Sequence, residues 1–281
     1  MKRRKLKNSY NLNDMVRKKL NYKGKEITYK EMGRGDCLVL LHGYLETGEI
    51  WNGFAERFLD QYRVIVPDLP GHGGSGTWGR IHTMEELAES VLAILEHEST
   101  GKVFLAGHSM GGYVTMAFAE LFPEQLAGYC LFHSTCFADT EEKKRNRERE
   151  ISLVHCGKKK QIINVNIPKG FASDRPESLN REIERARKIA LDNPDEGIIA
   201  MLHGMMRRPD RTHVLQDPSL PKLLIGGLKD NYIPVEVFEK LVRLAPDAAA
   251  LRLEESGHMG FIEEPEKAAR AMLTAMKGAY E

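Results

Sequence analysis

Lys102-Val-Phe-Leu-Ala-Gly-His-Ser-Met-Gly-Gly-Tyr113 is the stretch whose reading decides the fold. Residues 103–106 are an apolar run suited to a buried strand, and residues 113–122 repeat their apolar side chains at helical spacing. The chain between them must turn sharply from strand to helix. Gly107 and Gly111 stand two residues either side of Ser109, where a side chain would collide with the neighbouring strand and helix. Such a turn leaves the Ser109 hydroxyl exposed at a helix N-terminus, whose dipole favours the negative charge that develops in acyl transfer. Ser109 is the candidate nucleophile of a strand–turn–helix elbow.

Working outward, short apolar strands alternate with amphipathic helices. Residues 26–31 and 37–41 read as strands joined by the turn-rich Gly33-Arg-Gly-Asp36, an antiparallel hairpin at the start of the sheet. Residues 49–60 suit a helix, 62–66 a strand, and the glycine-rich segment up to Gly76 a loop. A helix over 84–97, capped by Thr83, leads into the elbow strand, and another strand follows over 127–132. The alternation resumes only near residue 222, with strands over 222–226 and 249–253 and helices over 235–244 and 265–277. The expected architecture is an α/β fold: a mostly parallel central sheet flanked by helices.

The intervening pattern is helical: a mixed-charge run over 139–150, then 176–191 and 195–206. This places a helical cap at 135–213, inserted into a core made of 22–134 and 214–281, after a basic arm at 1–21. Residues 1–25 hold ten lysines and arginines against Asp14 alone, although the whole chain carries only +1. That balance points to neither nucleic acid nor a membrane surface, and the arm is expected to be solvated. No apolar segment follows the basic residues as in a secretory signal, and no uncharged stretch is long enough to span a membrane, so a cytoplasmic protein is expected. The four cysteines have neither C-x-x-C nor zinc-like spacing.

His42-Gly43, Asp68-Leu-Pro-Gly-His72, Gly107-His-Ser-Met-Gly111, Gly227-Leu-Lys-Asp230 and Gly257-His258, taken together and in this order, resemble the α/β-hydrolase superfamily over roughly residues 22–280. The resemblance implies a catalytic triad in the chain order nucleophile, acid, histidine. Of ten histidines, His258 has the position of the base, in a glycine-containing loop after the last strand. His42 and His72 resemble structural positions, His108 is expected to point away across the turn, and His133 to play an ordinary polar role. Asp230, just past the 222–226 strand, is the acid. The end of the preceding strand has no carboxylate before Asp139. For the oxyanion hole, the elbow brings the backbone N–H of Met110, and the resemblance assigns the second donor to Tyr44.

The reading is a cap-bearing serine hydrolase acting on a small ester or related acyl substrate, with no cofactor and no metal. Tyr44, Met205 and Met206 are candidate substrate contacts. Arg145, Arg147 and Arg149 are minor candidates for a substrate carboxylate on an otherwise solvated helix. Carbon–carbon bond hydrolysis or elimination, aminopeptidase-like cleavage, and a catalytically silent binding protein remain open. Epoxide or dehalogenase chemistry is disfavoured, because serine stands where those enzymes use aspartate, and no H-E-x-x-H or Cys/His cluster suggests a metal. Gly71–Gly76 lacks the Lys-Ser/Thr ending of a phosphate loop.

Overall fold

The structure, a computed structural model, describes residues 16–174 and 176–281. Its strands are β1 (Val16–Tyr22), β2 (Lys25–Met32), β3 (Cys37–Leu41), β4 (Arg63–Pro67), β5 (Val103–His108), β6 (Leu126–Phe132), β7 (Lys222–Gly227) and β8 (Ala249–Leu253). The helices are α1 (Met84–His97), α2 (Met110–Leu121), α3 (Glu141–His155), α4 (Lys159–Lys169), α5 (Asn180–Asp192), α6 (Asp195–Arg207), α7 (Thr212–Gln216), α8 (Val235–Leu244), α9 (Gly260–Glu263) and α10 (Pro265–Tyr280). The strands form one sheet in the order β1-β2-β4-β3-β5-β6-β7-β8. From β4 to β8 it is parallel, and only β2 runs the other way, pairing antiparallel with β1 and with β4.

Alternate residues of the central strands feed two cores. Val39, Leu41 and Leu105 face a layer containing Leu87, Val91, Val114 and Leu241 from α1, α2 and α8. Leu38, Leu40 and Phe104 face Trp51, Phe58 and, from α10, Met272. A strand apolar on both faces must lie in the sheet interior, as β3 and β5 do. Among the described residues no helix is long and apolar enough to cross a membrane.

The expected hairpin between the first two sequence-predicted strands does not form. The 26–31 strand, here β2, pairs with β4, and β3 lies on the far side of β4. The Gly33–Asp36 link steps across the start of β4, where the Arg63 amide donates to the Asp36 carbonyl. Gly33 has φ +85°, and a Cβ there would stand 2.2 Å from the Tyr62 carbonyl oxygen. The turn signal is genuine, but wholly buried β3 gains more from a neighbour on each side than from an edge partner.

The basic arm also ends earlier than residue 21. Residues 16–22 form β1, whose cations are paired: Lys18 with Glu31 and Glu98, Lys19 with Glu26, and Arg17 with Asp68. Residues 1–15 lie outside the described part. The helix expected over 49–60 is instead two 3₁₀ turns, Gly48–Trp51 and Ala55–Phe58, separated by Gly53 at φ +82°. Helix α4 forms where the sequence pattern predicts no separate element, and the 176–191 segment is a 3₁₀ turn followed by α5.

Helix α1 starts in a complete capping box: Thr83 Oγ1 accepts from the Glu86 amide, and the Glu86 carboxylate accepts from the Thr83 amide. It packs along α2, the helix that carries the elbow. Thr83→Ala should lower unfolding stability by about 1 kcal/mol in urea titrations, with an unchanged m-value.

Candidate active site

The ends of β3, β5, β6, β7 and β8 bring the candidate residues to one edge of the sheet, the usual place for a site in a parallel α/β fold. At the end of β5, Ser109 takes φ 50° and ψ −112°, a left-handed conformation that its surroundings hold in place. Its amide donates to the Phe132 carbonyl, and its carbonyl accepts from Ser134 Oγ at 2.6 Å. A Cβ on Gly107 would lie 2.2 Å from the Gly111 carbonyl oxygen, and one on Gly111 2.5 Å from that of Leu41. The glycine frame therefore follows from backbone packed against backbone, and it leaves the Ser109 side chain half-buried.

The chain ahead of Tyr44 is fastened by two histidines. His42 Nδ1–H donates to the Gly43 carbonyl, while its Nε2 accepts from the Leu69 amide. Glu46 Oε2 accepts from the Gly43 amide at 2.6 Å and from His108 Nδ1 at 3.0 Å. The other His108 nitrogen, Nε2, donates to the His258 carbonyl at 2.9 Å, so both ring nitrogens face acceptors. Burial alone would lower the His108 pKa, but Glu46 raises it above the ordinary value, and that of Glu46 is correspondingly lowered. The result is a buried ion pair joining the Tyr44 turn, the elbow strand and the His258 loop. His108 does point away from Ser109, but it points into this network. Among the described residues the amides of Tyr44 and Met110 donate to no other protein group.

Asp230 and His258 meet as expected, with His258 Nδ1 donating to Asp230 Oδ2 at 2.8 Å. The same Oδ2 accepts from His133 Nδ1 at 3.0 Å, and Oδ1 accepts from the amides of Tyr232 and Ile233 at 2.7 and 3.0 Å. Burial by itself would raise the carboxyl pKa, but the charge on His258 and the hydrogen bonds from both histidines hold it far below the ordinary carboxylate range. His133, expected in an ordinary polar role, is a fully enclosed partner of the candidate acid. Its φ of 49° at the end of β6 is the local peculiarity that turns it there, and no residue pattern announces it.

The His258 backbone is held as well. Its amide donates to the Gly170 carbonyl, and Glu263 accepts from the amides of Gly257, Met259 and Ala172. Burial outweighs these donors and pushes the Glu263 pKa up to about 7. His133, Asp230 and His258 lie close enough to suggest a shared metal ion. However, His133 Nε2 accepts from the Gly260 amide, so Nδ1 carries the proton, and the 2.8–3.0 Å spacings to Asp230 are those of N–H···O bonds.

The helical segment between β6 and β7 reaches this site. The Tyr232 ring lies 5.1 Å from that of His258, and its hydroxyl donates to the Asn166 carbonyl on α4. Asn166 Nδ2 in turn donates to Glu150 on α3. The α3 charge run is mostly exposed, including Arg145 and Arg149, whereas Arg147 is turned inward onto Asp139. Asp139 also pairs with Arg208 and has no exposed side-chain area, so its carboxylate is committed to two guanidiniums. Met205 is buried in the core that also holds Leu45 and Tyr113, and Met206 packs against it half-exposed.

The sequence profile of the alpha/beta hydrolase family matches residues 38–271. The chain belongs to this family. Proteins similar to it include a pimeloyl-[acyl-carrier protein] methyl ester esterase of Aeromonas hydrophila, 28% identical over 86% of this chain and 95% of the relative. The dihydrolipoyllysine-residue acetyltransferase component of an acetoin cleaving system from Pseudomonas putida is 30% identical over 90% of this chain and 67% of its own length. Among solved structures, a thermophilic esterase from Thermogutta terrifontis, with malate bound, superposes with a TM-score of 0.87 at 32% identity, covering 95% of this chain and all of that one. The chain is an enzyme of the hydrolase class, with esterase-type homologues.

Exchanging each aspartate should separate the two carboxylates. Asp230→Asn is expected to lower kcat by about 10³–10⁴-fold, because the amide favours the wrong imidazole tautomer. Asp139→Asn should instead cost about 3–5 kcal/mol of stability by leaving two guanidiniums underpaired, with turnover per folded molecule retained. Steady-state kinetics beside urea melts decide this, and the reverse result would exchange the roles.

Proposed function

We infer that this hydrolase cleaves a small ester or related acyl substrate through an acyl-enzyme. Ser109 attacks the carbonyl, His258 takes the serine proton and returns it to the leaving group, and Asp230 orients His258 and stabilises its protonated form. The amides of Tyr44 and Met110 hold the oxyanion. The observation that carries the reading is the 2.8 Å Asp230–His258 bond, made at the same edge of the sheet at which a strained, half-buried serine stands on a strand-to-helix turn. The esterase names of the relatives agree with it.

Residues 135–213 act as a cap over this site and choose the substrate. Support comes from the contacts running from His258 through Tyr232 and Asn166 to Glu150, which bring α3 and α4 over the base. Tyr44 and Met206, both partly buried and packed against the core that holds Met205, are its candidate substrate contacts.

A fluorophosphonate should label one peptide, that of Ser109, and Ser109→Ala should abolish both label and turnover. Stoichiometric labelling elsewhere, found by mass spectrometry, sinks the assignment. On p-nitrophenyl esters of graded chain length, kcat/KM should rise with pH along a single-proton limb. His258 must lose a proton to act as base, while Asp230 stays ionised throughout because its proton affinity is held so low. Met206→Ala should reorder the preferred chain lengths and leave labelling within a few-fold. Unchanged order with lost labelling would mean that the segment supports catalytic geometry instead.

A further inference from the structure

His133 has no part in the mechanism above, yet it is locked on both ring nitrogens. Nδ1–H donates to Asp230 Oδ2 at 3.0 Å, and Nε2 accepts from the Gly260 amide at 3.2 Å. Its own amide donates to the Ile225 carbonyl on β7. These partners leave one tautomer, neutral and protonated on Nδ1. The side chain is 0% exposed and tightly surrounded: a Cβ on Gly260 would stand 2.4 Å from Nε2, and one on Gly227 3.0 Å from Cε1. The ring thus spans the loop that carries Asp230 and the loop that carries His258.

We propose that His133 is a positioning residue that holds Asp230 Oδ2 toward His258 and, by donating a permanent hydrogen bond to that oxygen, weakens the pull of the carboxylate on the His258 proton. The proposal rests on Asp230 and His258 being the acid and base. Each hydrogen bond to an ionised carboxylate lowers its proton affinity. With two donors on one oxygen, Asp230 attracts the His258 proton less than it would with one, so His258 is free to act as base at a lower pH. Burial pushes the His133 pKa down to about 4, which keeps it a neutral donor at working pH. The other ionisable groups facing this cluster are the His108–Glu46 pair from β5 and the Tyr44 turn, Tyr232 after β7 and Glu263 on α9. None of them donates to Oδ2.

His133→Leu removes the donor. The acid limb of kcat/KM should then move to higher pH by on the order of half a unit or more, with kcat reduced and KM little changed. His133→Asn places its Nδ2 near the old Nδ1 position and tolerates the left-handed backbone, so it should bring the limb back. A limb in His133→Leu that superimposes on that of the parent protein overturns the proposal, as does an Asn variant that behaves like Leu. Independently, ¹⁵N spectra of the unsubstituted enzyme should show His133 as a neutral Nδ1–H ring that does not titrate between about pH 5 and 9, and a titrating or Nε2–H ring overturns the proposal even if Leu prevents folding. Asp230→Asn on the same substrate keeps the two levels apart. Near-full activity there overturns the acid assignment itself, whereas an inactive Asp230→Asn beside an unshifted His133→Leu overturns only the role of His133.

Discussion

The structure around the site depends on one buried carboxylate. Asp230 takes hydrogen bonds from two imidazoles and two amides, which together satisfy both oxygens. An ionised carboxylate removed from water is costly unless its lone pairs are filled, and the donors come from its own loop, from the end of β6 and from the loop after β8. Filling them therefore fixes how three separate chain segments lie against one another. The same requirement explains why burial does not neutralise Asp230: the histidine donors and the His258 charge outweigh the loss of solvent.

A second buried charge pair does comparable work on the other side of His258. His108 and Glu46 neutralise each other, and their spare hydrogen-bonding capacity reaches the Gly43 amide and the His258 carbonyl. The base loop is thereby gripped at His108 through its carbonyl, at Gly170 through its amide and at Glu263 through the flanking amides. Its geometry is set by side chains and backbone drawn from three other parts of the chain. The acyl transfer proposed above would need its groups held to within a fraction of an ångström, and this arrangement serves that better than a loop held at its ends alone.

Gly170 and Ala172, which bond the base loop and Glu263, close the first part of the segment between β6 and β7. The helical segment is consequently tied to the loop bearing the candidate base. In the proposed function, substrate recognition and catalytic geometry would meet at this junction, beside the polar contact from Tyr232 through Asn166 to Glu150.

The sequence by itself determined the parallel sheet with a helical stretch inserted in it, the glycine-framed turn at Ser109 and the candidacy of Asp230 and His258, because these depend on local pattern. Apolar runs mark strands, and a glycine two residues either side of a serine marks a turn where no side chain fits. Tertiary structure decided what depends on pairing between distant segments. It moved β4 between β2 and β3, since a strand buried on both faces needs two neighbours, and it drew residues 16–22 into the sheet, where ion pairs neutralise their charges. It also brought His133, His108 and Glu46 to the loops of Asp230 and His258. Nothing in the chain near those residues distinguishes them from ordinary polar positions: their meaning arises only from what the fold places opposite each ring nitrogen and carboxylate oxygen.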